Sequence, residues 1–300
     1  MPKIPRFYVN EMEYLQTNGH DFGYDFPKQF RTLPVIPQEF DQQFQVGNFS
    51  IVNFDFPVDL NNPFIATLGH EGTWYICKNN EGSQISSTGT IINENNQSSN
   101  NQNGWSLNCL DSTPASIEIN TTSGIFGSMV VGSYWEAPHS VDLNVKMSFD
   151  YSGTKKTMTR GGSTLNNTAW VRNPFWGDLP AWELEAEDSH VNLSKTGRRI
   201  WDIGFSFFTE SNLLPSTLNI ATEDDNNPLA NTIHNDATDF YSQVITKTLG
   251  CGNRPFIFSP DSTSTALDNF AICTFDAKRF SLNQTSPNLF STKMRIVETW

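Results

Sequence analysis

Apolar and polar positions alternate along this chain in short runs. Near the end, Phe290, Thr292, Met294 and Ile296 alternate with Ser291, Lys293, Arg295 and Val297. A period of two over seven or eight residues predicts a strand with one dry and one wet face. Together with the runs Arg254-Pro-Phe-Ile-Phe-Ser, Phe270-Ala-Ile-Cys-Thr-Phe and Phe280-Ser-Leu, it predicts a closing β-meander. A second alternation, with Val141, Leu143, Val145, Met147 and Phe149 on one face, predicts an amphipathic strand over residues 141–151. One segment has helical spacing instead. Phe240, Tyr241, Val244, Ile245 and Leu249 form an i, i+4 stripe, with Asp236 or Thr238 as cap and Gly250 as stop, so a helix is expected over 236–249.

Three units follow from the punctuation. Residues 1–45 carry Pro2, Pro5, Pro27, Pro34 and Pro37 among many aromatic rings. They are expected to form an extended arm laid as a strap on the chain's own domain or on a neighbouring subunit, with a helical turn or two over 10–18 ended by Gly19. Residues 46–140 hold seven or eight short strand-like runs separated by Gly and Asn turns, predicting a β-sandwich or jelly roll. Within them, the run Asn95-Asn-Gln-Ser-Ser-Asn-Asn-Gln-Asn-Gly has nothing to bury and reads as a surface loop. Residues 141–300 read as strands, one helix and the closing meander.

Composition narrows the function. The chain has 300 residues, 37% hydrophobic and 17% charged, with 23 Phe and 8 Trp, which suits a folded β-rich protein. A net charge of −13 opposes binding to nucleic acid and anionic lipid. No apolar run is long enough to span a membrane, and the first residues lack the apolar centre of a secretion signal. The four Cys show no Cys-x-x-Cys spacing and read as free small hydrophobes. The five His form no His-x-x-x-His pair, so neither a metal nor another cofactor is expected. The acidic clusters Glu185-Ala-Glu-Asp and Glu223-Asp-Asp lack the spacing of a calcium loop and read as solvated charge. Neither a Gly-x-Ser-x-Gly elbow nor a Gly-rich phosphate loop is present, and no enzyme is expected. Trp74, Trp105 and Trp135 are candidate platforms for sugar rings, with core packing as the alternative.

Five pieces in order carry a resemblance: Phe64-Ile-Ala-Thr-Leu-Gly-His-Glu; Phe126-Gly-Ser-Met-Val-Val-Gly-Ser-Tyr-Trp-Glu-Ala-Pro-His-Ser; Thr196-Gly-Arg-Arg-Ile-Trp-Asp-Ile-Gly-Phe-Ser-Phe; Arg254-Pro-Phe-Ile-Phe-Ser-Pro-Asp; and Phe270-Ala-Ile-Cys-Thr-Phe. Their order and spacing resemble distal-tail and tail-tip or baseplate proteins of tailed bacteriophages, of the marine-phage type, over residues 46–300. The resemblance implies a galactose-binding-like jelly roll followed by a tail-tube-like split β-barrel. It also implies a homo-oligomeric ring (hexamer or trimer) around the DNA channel, joining the tail tube to other tail-tip or baseplate proteins. A virion protein assembled in the host cytoplasm would then place Val141, Leu143, Val145, Phe290, Met294 and Ile296 at the contact between copies. The tube-like part comes last here, whereas in minimal distal-tail proteins it comes first. The other expectation is a carbohydrate-binding or glycan-degrading protein that touches host surface polysaccharide through the sandwich.

Overall fold

The computed structural model describes residues 3–33, 38–39, 44–46, 49–70, 74–79, 81–85, 87–94, 104–120, 125–143, 145–150, 154–168, 175–176, 179–180, 198–214, 238–264 and 269–299. In chain order the strands are β1 (Arg6–Asn10), β2 (Gln38–Glu39), β3 (Gln45–Val46), β4 (Phe49–Asn53), β5 (Pro63–His70), β6 (Trp74–Lys78) and β7 (Ser87–Glu94). Then come β8 (Gly104–Leu110), β9 (Ser116–Asn120), β10 (Ile125–Phe126), β11 (Ser128–Glu136), β12 (Lys146–Asp150), β13 (Thr154–Met158) and β14 (Thr164–Thr168). The last are β15 (Phe175–Trp176), β16 (Leu179–Pro180), β17 (Arg198–Thr209), β18 (Phe256–Ser259), β19 (Ala271–Phe275), β20 (Asn283–Ser286) and β21 (Leu289–Glu298).

The protein is mainly β, as expected. One large antiparallel sheet runs β12-β17-β21-β19-β18-β1-β11-β5-β8-β7, with β20 beside the first part of β21. The path is open at both ends, so the described strands close no barrel. A smaller sheet, β3-β4-β9-β6, lies over part of one face.

The start of the chain corrects the expectation of a strap. β1 is an interior strand, paired with β11 on one side and β18 on the other. Its run Phe7-Tyr8-Val9 has no wet position, because both faces of the sheet are dry there. β1 thus joins strands from residues 46–140 to strands from residues 141–300 in one sheet. Gly132 permits this approach: an added Cβ would run into the Val9 carbonyl and sit 2.7 Å from the Glu11 amide. The short helix read from the sequence is present as α1 (Glu11–Thr17). The Asn10 side chain caps it by accepting from the Glu13 amide at 3.2 Å, Glu11 and Glu13 suit its N-terminal dipole, and Gly19 follows at φ 85°.

Alternation along the interior strands splits the core into three clusters. On one face, Ile65, Met129 and Val131 meet Val52, Cys77 and Ile117 of the small sheet. Farther along that face, Phe7, Phe258, Phe256, Phe275, Ile296, Trp201 and Phe205 are covered by the segment around Phe240 and Val244. The opposite face carries Tyr8, Phe64, Ala66, Leu107, Val130, Ile257 and Ile272.

The covering segment departs from the helix expected over 236–249; residues 236–237 lie outside the described ones. The cap is Asp239, whose carboxylate accepts from the Ser242 amide at 2.9 Å. The chain then makes a π-helical turn, Tyr241–Ile245, with Thr246 and Gly250 donating to the carbonyls five residues back. Phe240, Val244 and Ile245 enter the core as the stripe implies, but Ser242, Gln243, Lys247 and Thr248 are buried too. Lys247 meets α1 instead of water.

Candidate functional site

Two places gather unusual chemistry. The first is the β12 edge of the large sheet. The alternation over 141–151 predicts one long half-buried strand, but continuous pairing with β17 begins at Lys146, preceded by one bond from the Asp142 amide to the Gly204 carbonyl at 2.8 Å. Residue 151 lies outside the described residues. Val141 packs on the core, whereas Leu143, Val145, Met147 and Phe149 are 103%, 43%, 52% and 47% exposed. Met147 lies beside Trp201, and Phe149 beside Arg199, on the face where β17 carries its core residues. The apolar row therefore extends the core surface past the last strand. Single exposed apolar residues are ordinary, but a contiguous row along a sheet edge marks a contact surface.

The end of the chain corrects part of the expected contact. β21 is an interior strand, with β17 along one side and, on the other, β20 beside its first residues and β19 beside its last. Ile296 is fully buried, Met294 is buried, and Phe290 is half-buried against the same core. These three residues are used inside one copy. Their alternation reads the same whether a strand covers an edge or awaits a partner, so the sequence could not separate the two.

The second place is a nearly buried ion cluster at the floor of a small open cleft, lined by Phe56, Leu60, Glu11, Ser133, Gln243 and Lys247 among others. The Lys247 ammonium donates to the Glu11 carboxylate and, at 3.1 Å, to the Gln243 side-chain carbonyl. The Ser133 hydroxyl donates to the same Glu11 oxygen at 3.2 Å. Two residues along α1, Glu13 accepts from Arg254 at 2.7 Å and from Thr32. Two successive carboxylates of α1 are thus clamped by cations more than 200 positions later in the chain. Sequence reasoning missed this pairing. Its only trace was Lys247 within an otherwise apolar helical stripe.

Of the three aromatic candidates, Trp135 has a described side chain. Trp135 is buried among Phe240, Phe7 and Phe208, with ring centroids 4.7–6.0 Å apart, and is a core residue. Trp74 belongs to β6 of the small sheet and Trp105 to β8 of the large one; their side chains are outside the described set. Burial pushes the Cys77 thiol up to about 12 and the Cys109 thiol up to about 11, so neither supplies a thiolate near neutral pH. Among the described residues no three His, Cys, Asp or Glu side chains converge on a metal-sized site, and no helix is long and apolar enough to cross a membrane. The acidic clusters at 185–188 and 223–225 lie outside the described residues.

No protein-family model, curated protein or solved structure matches the chain.

Proposed function

We propose that this chain is a structural subunit of a bacteriophage tail tip or baseplate. In this reading it acts as a homo-oligomer in a ring around the DNA channel and has no catalytic role. The observation that carries the multimeric part is the exposed row Leu143, Val145, Met147 and Phe149 along the β12 edge, a surface suited to another protein chain. The tail assignment rests on the order of the five resembling sequence pieces. The −13 charge agrees with a channel wall along which DNA slides without sticking. The two-sheet part built from β3, β4, β6 and β9 over β5 and β11 then takes the place of the jelly roll. β12, β17–β21 and the π-helical turn take the place of the tail-tube-like unit. Electron microscopy and native mass spectrometry of the purified chain test the proposal: closed rings of one size are expected, and a chain that stays strictly monomeric overturns it.

A further inference from the structure

We infer that two copies of this chain join head to head through β12, around a two-fold axis at Ser148. The strand reads Lys146-Met147-Ser148-Phe149-Asp150, with charges of opposite sign equally far from its centre. When such a strand pairs antiparallel with its own copy, Lys146 faces the partner's Asp150 and Met147 faces the partner's Phe149. Ser148 faces the partner's Ser148. Every cross-strand pair is then favourable, and opposite-charge and apolar pairs each contribute about 0.2–1 kcal/mol relative to Ala–Ala.

The neighbouring strand extends the match. Within one copy, Asp150 lies beside Arg198 and Lys146 beside Asp202 on β17. Across the join the charged face would read Arg198, Asp150, the partner's Lys146, the partner's Asp202, with signs alternating at each step. The other face would read Trp201, Met147, the partner's Phe149, the partner's Arg199. This row closes Met147 and Phe149, 52% and 47% exposed in one copy, against each other. Among the described residues no strand lies along the outer edge of β12. A shift of one residue would turn apolar side chains onto the charged face, and a shift of two would separate Lys146 from the partner's Asp150. A two-fold contact is self-complementary and closes on itself, so it does not generate a ring without a second contact. A hexameric ring would then be three such pairs joined by another surface.

The inference rests on β12 as a contact between copies, not on the phage-tail assignment. Ser148→Cys in a Cys251→Ser background tests it. Directly opposed Cβ atoms lie about 4.5–5.5 Å apart, so residue 148 is expected to cross-link to itself with a mild oxidant or a short bis-thiol reagent. Met147→Cys and the exposed control Ser286→Cys are expected to cross-link at least tenfold more slowly. Phe149→Lys is expected to raise the dimer dissociation constant at least tenfold without changing the circular dichroism spectrum. Rings that form without a 148–148 cross-link overturn the two-fold join and leave the ring. A 148–148 cross-link in particles that never exceed a dimer supports the join and removes the ring. A monomer with no cross-link removes both.

Discussion

Lys247 and Glu11 offer the sharpest test of how this fold is held together. Their side chains are 4% and 6% exposed, and they tie α1 to the segment that covers the core. Lys247→Met keeps the length of the side chain and removes the ammonium. Glu11 then keeps the Ser133 hydroxyl but loses its counter-charge at a nearly buried position. Removing one partner of a buried ion pair costs about 3–5 kcal/mol, because the remaining charge stays desolvated. At about 2–4 °C per kcal/mol for chains somewhat shorter than this one, the melting temperature is expected to fall by roughly 6–20 °C. The double variant Glu11→Met with Lys247→Met removes both charges and fills the same space with apolar atoms. It is expected to regain most of the loss, since a buried pair replaced by packed apolar groups is often neutral or better. Thermal unfolding followed by circular dichroism, on the wild type, both single variants and the double, gives the coupling directly. A drop below about 2 °C for Lys247→Met, or a double variant as damaged as the sum of the singles, would falsify the picture of a dry, mutually dependent pair.

Two further outcomes follow from the same packing. Gly132→Ala places a methyl against the Val9 carbonyl and the Glu11 amide, so it is expected to push β1 off β11 and yield insoluble or strongly destabilised protein; a soluble variant with an unchanged melting temperature refutes the close approach. The buried thiols make the fold sensitive to alkali: Cys77 and Cys109 titrate near 9.0 when unfolded but only at about 12 and about 11 when folded. Below pH 9 both states hold these protons and nothing changes. Above it the unfolded chain releases them first, so stability is expected to fall by about 1.4 kcal/mol per pH unit for each thiol. Urea titrations from pH 8 to 11 measure this, and a flat midpoint across that range contradicts it.

Much of the architecture was written in local pattern. The Gly19 stop and the apolar alternation of residues 290–297 read directly as the end of α1 and as β21, because helix stops and pleats are set by neighbours a few residues apart. The stripe Phe240, Val244 and Ile245 likewise marked the face that enters the core. Its π-helical winding was not legible. Neither was the burial of Lys247, which depends on a carboxylate 236 positions away. The row Leu143, Val145, Met147 and Phe149 shows where pattern stops. By itself the sequence determined that these side chains share a face and that residues 146–150 are chemically symmetric about Ser148. Only the tertiary structure decided which strand ends the sheet. Leu289–Glu298 alternates in the same way and yet is enclosed on both sides, while Lys146–Asp150 stands at the rim. Edge and interior strands differ in what pairs with their backbone, and backbone pairing over long separations leaves no mark on the order of apolar and polar side chains.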